Sequence, residues 1–210
     1  MSLLGSRLLL LFAIAPAAAV AQQYSILVYG DSLSAAYGMQ PEQGWVALLE
    51  ERLASRADHF KVINASVSGE TTDGGLRRLP ETLERVKPDL VILELGGNDG
   101  LRGFPLSVIR DNLRAMVHAA KEAGAEVLLV GMRIPPNYGT RYAEGFHQLY
   151  QEVADQEKVA LVPFFLEQVA LDPELIQNDQ IHPTAAAQPL MLETLWPHLA
   201  PLLGQKLPAN

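Results

Sequence analysis

Short apolar runs that end in glycine-rich polar turns, separated by longer stretches of helical periodicity, constrain this chain more than any other feature. Tyr24–Tyr29, Phe60–Ala65, Leu90–Leu95, Val127–Val130 and Ala160–Val162 read as strands from their aliphatic, β-branched and aromatic content. Trp45–Ser55, Leu76–Val86, Ser107–Ala123 and Glu144–Lys158 read as helices, and a last helix runs from about Ala185 to Leu203. Over Ser107–Ala123, Ile109, Leu113, Met116, Val117 and Ala120 make one apolar stripe, with Gly124 as the C-cap. Phe146, Leu149, Tyr150, Val153 and Ala154 do the same in the following helix. Strands that alternate with crossover helices call for a parallel sheet covered on both faces. The chain therefore reads as α/β, a single doubly wound domain.

Composition narrows what such a domain can meet. With a net charge of −8 and no basic run, the chain is a poor match for nucleic acid or anionic membrane surfaces. The amino terminus carries Arg7, an apolar stretch from Leu8 to Ala15 and the small-residue pattern Ala19-Val20-Ala21. That is the pattern of a cleavable leader, so residues 1–21 are expected to be removed after Ala21, leaving 22–210 as the domain. The leader's apolar run is too short to span a membrane. A periplasmic or secreted protein follows. There is no cysteine, hence no disulfide, no thiolate metal site and no thiol for a lipid anchor. A monomer without a membrane anchor is expected.

The strand exits are where the sequence becomes chemical. The first leaves through Gly30-Asp31-Ser32-Leu33-Ser34, the second through Asn64-Ala65-Ser66-Val67-Ser68-Gly69-Glu70-Thr71, the third through Gly96-Gly97-Asn98-Asp99-Gly100. The opposite strand ends, at His59, Asp89 and Glu126, are ordinary. A doubly wound sheet brings the carboxyl ends of its strands to one rim, where ligands bind. A serine there needs a base within hydrogen-bond reach. Asp179-Gln180-Ile181-His182-Pro183 offers one, with the carboxylate three residues before the imidazole. Pro183 turns the backbone of His182 away from helix, onto a loop. Gly69 and Ser32 can offer backbone N–H groups, and Asn98 a side-chain amide, to an oxyanion.

Together Gly-Asp-Ser-Leu-Ser at 30–34, Gly69 after Val67-Ser68, Gly-Gly-Asn-Asp at 96–99 and Asp-x-x-His-Pro at 179–183 resemble the four ordered blocks of the SGNH, or GDSL, hydrolases. Asn-Ala-Ser-Val-Ser-Gly-Glu-Thr, Leu-Gly-Gly-Asn-Asp-Gly-Leu-Arg-Gly and Pro-Pro-Asn-Tyr-Gly resemble its periplasmic thioesterase, lysophospholipase and arylesterase branch. The resemblance implies a flavodoxin-like sheet of five parallel strands. It also implies Ser32 as nucleophile, His182 as base, Asp179 as its orienter, and an oxyanion hole from Ser32, Gly69 and Asn98. No cofactor and no metal is implied.

Rival readings of these residues are weaker. The Gly-x-Ser-x-Gly elbow of α/β-hydrolases is missing, because Ser34 stands where its second glycine would be. His59, His118, His147, His182 and His198 are too scattered for a metal hydrolase. Asp31, Asp99 and Glu94 compete with Asp179, but none has a histidine at a comparable offset, and Glu94 has no assignment. Leu101 and Phe104, in the Gly100–Pro105 loop that carries Gly100 and Gly103, and Ile134, Pro135 and Tyr138, off the fourth strand, are candidates to line an acyl groove. The expected substrate is an acyl ester or lysophospholipid, with thioesters also within reach. A carbohydrate O-acetylesterase and a non-catalytic lipid- or glycan-binding protein are the alternatives.

Overall fold

A computed structural model describes residues 23–56 and 59–204. The expected leader lies outside the described residues.

The strands are β1 (Tyr24–Gly30), β2 (Phe60–Asn64), β3 (Leu90–Glu94), β4 (Glu126–Val130) and β5 (Ala160–Val162). All pairings are parallel, in the order β2-β1-β3-β4-β5. The helices are α1 (Trp45–Ala54), α2 (Thr72–Val86), α3 (Gly97–Leu101), α4 (Leu106–Glu122), α5 (Thr140–Glu157) and α6 (Gln188–Leu203). Helices α1 and α6 pack together on one face of the sheet; α2, α4 and α5 pack side by side on the other. This is the doubly wound architecture read from the alternation of elements. Every residue of β3 is buried, as a central parallel strand covered on both faces requires. The apolar stripe of α4 is buried at all five expected positions, and so is that of α5.

Three boundaries differ from the sequence reading. Helix α2 starts at Thr72 rather than Leu76, because the Thr71 side chain caps it by accepting from the Gly74 N–H. Its two early glycines are there for closeness: a Cβ on Gly75 would come within 2.5 Å of Leu95. Gly97–Leu101, read as a turn, is a short helix entered through Gly96 at φ +111°. Helix α5 begins at Thr140, four residues ahead of expectation.

Strand order reverses between β1 and β3. In open α/β sheets that switch point opens a crevice beyond the strands' carboxyl ends. The exits carrying Ser32 and Asn98 flank it.

Candidate active site

Ser32 follows β1 on a turn stitched by Asp31. The Asp31 carbonyl accepts from the N–H groups of Ser34 and Ala35, and its carboxylate Oδ1 accepts from Leu33 N–H at 3.0 Å. Gly30 is required by a close approach: a Cβ there would lie 2.5 Å from Glu94 Oε2 and 2.9 Å from Ser34 Oγ. The β2 exit is fastened beside this turn. Val67 N–H donates to Gly30, and Asn64 Nδ2 donates to the Ser34 carbonyl at 2.8 Å. Arg78, on α2, holds the same exit from beyond, bonding Glu70 Oε2 at 3.0 Å and the Ala65 carbonyl at 2.7 Å.

The other half arrives from far along the chain. His182 Nε2 is 2.8 Å from Ser32 Oγ, and His182 Nδ1 is 2.6 Å from Asp179 Oδ2. Asp179 Oδ1 accepts from the backbone N–H groups of Ile181 and His182, each at 3.0 Å. Burial works against the Asp179 charge, but the His182 backbone and ring and the Ile181 N–H outweigh it and hold the carboxyl at about 2. The three-residue offset closes into one local turn, with Gln180 at φ +63°.

Of the three expected oxyanion donors, two are free. The N–H groups of Ser32 and Gly69 have no partner among the described residues. Gly69 takes φ +78°, a conformation that favours glycine, and it is exposed. Asn98 is engaged: its Nδ2 donates to Asp31 Oδ2 at 3.0 Å and to the Glu70 carbonyl at 3.1 Å. Both amide hydrogens have acceptors, so a developing oxyanion must share one of them in a three-centre bond.

Three acids lie behind the serine. Burial pushes Asp31 up to about 6 against the Leu33 N–H and the Asn98 amide, and it pushes Glu94 well above the usual carboxylate range. Asp99 is also raised by burial; it binds the Thr72 N–H and hydroxyl, tying the start of α2 to α3. None of the three touches His182 as Asp179 does.

The five candidate acyl-groove residues are dispersed. Ile134 is buried, packed so close that a Cβ on Gly100 would meet it at 3.0 Å. Leu101 and Phe104 are half-buried against the core, while Pro135 and Tyr138 are exposed. A groove of about 710 Å³ between the starts of α4 and α5 is lined by Leu106, Gly139, Thr140 and Tyr142, and by none of the five. Tyr142 ties it to the candidate loop by donating to the Phe104 carbonyl at 2.6 Å.

Two residues at the site carry no sequence signal. Gln177 Nε2 donates to the carbonyls of Tyr37 (2.9 Å) and Pro183 (2.8 Å), clamping the serine turn to the histidine loop. The Tyr37 ring lies against the imidazole, centroids 4.3 Å apart. An amide and an aromatic in loops have no periodicity to betray them. Among the described residues, no cluster of three or more His, Asp or Glu side chains is placed to hold a metal ion.

Comparison with known proteins places this arrangement. Residues 28–189 match the GDSL-like Lipase/Acylhydrolase family. The chain is 55% identical over 179 residues to Esterase TesA of Pseudomonas aeruginosa, covering 85% of this chain and 89% of that protein. It is 44% identical to Thioesterase 1/protease 1/lysophospholipase L1 of Escherichia coli K12, covering 86% and 85% respectively. The psychrotrophic esterase EstA of a Pseudoalteromonas species, in a crystal structure inhibited by monoethylphosphonate, superimposes with a TM-score of 0.82 at 43% identity. That match covers 86% of this chain and 99% of the other. Four motif blocks, the sheet order and these similarities converge, and the chain belongs to the GDSL-like lipase/acylhydrolase family as an esterase of the SGNH type.

Proposed function

We propose that this esterase works through a covalent acyl ester on Ser32. The observation that carries the reading is the hydrogen-bonded line from Ser32 Oγ to His182 Nε2 at 2.8 Å and from His182 Nδ1 to Asp179 at 2.6 Å. With Nδ1–H donating to Asp179, Nε2 accepts the Ser32 proton as Oγ bonds to the acyl carbon. The carbonyl π electrons move onto oxygen, which takes N–H donation from Ser32, Gly69 and Asn98. His182 then passes its proton to the departing alcohol or thiol, leaving acyl-Ser32. Water, deprotonated by His182, attacks that ester, and the proton returns to Oγ as the acid leaves. Ser32→Ala is expected to cut turnover by about 10⁶ while leaving the melting temperature in place. A phosphonate ester that labels the wild-type serine should leave the variant unlabelled; activity retained in Ser32→Ala would refute the scheme.

The natural substrate we propose is an acyl ester or lysophospholipid met outside the cytoplasm, by a monomer that binds no nucleic acid. Residues 1–21 support export as a leader, with 22–210 as the working domain. Leu101, Phe104, Pro135 and Tyr138 would guide the acyl chain toward the groove beside Tyr142, with Ile134 beneath them. Among the described residues no helix is long and apolar enough to cross a membrane. A panel varying acyl length and leaving group tests the assignment: efficiency on lysophospholipids should exceed that on acetyl esters. Turnover confined to acetylated sugars would mark a carbohydrate O-acetylesterase instead.

A further inference from the structure

Glu94 is the most deeply set of the buried acids near the serine that the scheme above leaves unused. It closes β3, wholly buried, and pairs with Gly30 in the β1–β3 ladder. Its Oε2 accepts from Ser34 Oγ at 2.6 Å and from the Asp31 N–H at 3.3 Å, while Oε1 has no partner among the described residues. The titratable groups facing it are Asp31, from the β1 exit, and Tyr150, from α5. Neither brings a positive charge. Asp31 itself faces His182 and Asp99. Asp31 and Glu94 are both buried and joined through the Asp31 N–H, and two negative charges so placed in the interior repel too strongly for both to persist.

The hydrogen bonds decide which acid keeps the proton. Both Asp31 oxygens already accept: Oδ1 from Leu33 N–H and Oδ2 from the Asn98 amide. A proton on Asp31 would turn one of these oxygens into a hydroxyl and weaken the bond it accepts. Glu94 has Oε1 open. We infer that Glu94 is a positioning residue: it remains a neutral acid beside the charged Asp31 carboxylate, and Asp31, so supported, fixes the Asn98 amide for the oxyanion. Burial, and after it the Asp31 charge, push the Glu94 carboxyl in that same direction. The inference rests on the oxyanion reading of Asn98 given above.

A double-mutant cycle on a short aryl ester tests it. Glu94→Ala should lower kcat by about tenfold to a hundredfold with KM within about twofold. Glu94→Gln should recover most of that loss, since its amide both accepts from Ser34 and donates to Asp31. In an Asn98→Ala background, Glu94→Ala should cost less than about threefold more, because the group it positions is gone. Losses that simply multiply, or a Glu94→Gln variant as damaged as Glu94→Ala, would overturn the assignment. Should Glu94→Ala fail to fold, the isosteric Glu94→Gln carries the test: a folded variant losing more than about tenfold in kcat refutes a neutral acid. Unchanged kcat in Asn98→Ala alone is a separate result, which would sink the oxyanion reading instead.

Discussion

Asp179 and Asp31 each hold a polar group near Ser32, the His182 ring and the Asn98 amide respectively, in contrasting surroundings. Asp179 sits on an outer loop, partly in water, and the backbone of its own turn holds its charge at no great cost. Asp31 is buried beneath the serine, where desolvation raises it to about 6. In the scheme proposed above, the first aligns an imidazole that moves protons and the second an amide that keeps its own. The difference shows two ways of fixing a polar group: local backbone donors with solvent outside, or a charge kept in the interior at the expense of stability.

Each side can be attacked separately. Removing the outer imidazole is the larger blow: His182→Ala should lower kcat by about 10⁶, and Asp179→Ala by about 10⁴. On the inner side, Asn98→Ala should lower kcat by about 10²–10³, the usual loss of one oxyanion donor. Steady-state kinetics on one ester ranks all three, and an Asn98 variant worse than the His182 variant would invert the contrast.

Stability against pH separates the two acids by sign. Asp179 is lowered from 3.8 to about 2, so it contributes stability above the unfolded value that disappears as pH falls through about 2. Asp31 is raised from 3.8 to about 6, so the folded chain binds the extra proton between those values and loses stability as pH rises through them. Urea unfolding of wild type, Asp179→Asn and Asp31→Asn at pH 4 and pH 7 reads this as a difference from wild type. From pH 4 to pH 7 the wild type's advantage over Asp31→Asn should shrink, whereas its advantage over Asp179→Asn should not. Advantages that change in the same direction would show that the acids are alike after all. The smallest expected effect joins the sides: Gln177→Ala, which unclamps the serine turn from the histidine loop, should cost less than about tenfold in kcat.

How much of this was readable in residue order depends on the range of the interaction. Asp179 and His182 are three apart, and their contact closes within one turn, so the spacing carried it. The stripes of α4 and α5 were legible for the same reason, since burial repeats with the helical period. Helix α2 reads short in the sequence because glycines at its start resemble a break; what requires Gly75 is packing against Leu95, which no local pattern records. Glu94 stands out in the sequence as a carboxylate in an apolar strand, but its partners, Ser34 and Asp31, lie 60 and 63 residues away, beyond any local pattern.

From residue order alone came the alternation that demands a parallel sheet, the polar strand exits, and the chemistry-bearing types at each of them. Order along the chain does not say which exits become neighbours. That is set by the reversal between β1 and β3, which brings His182 to Ser32 across 150 residues and lays Glu94 against Gly30. Tertiary structure alone also decided that Asn98 is held rather than free, and that Gln177 and Tyr37 belong to the site. The physical reason is common to all of these. Local periodicity encodes which side of an element is buried, whereas hydrogen bonds between exits depend on sheet order, and sheet order is fixed by the packing of crossover helices on both faces.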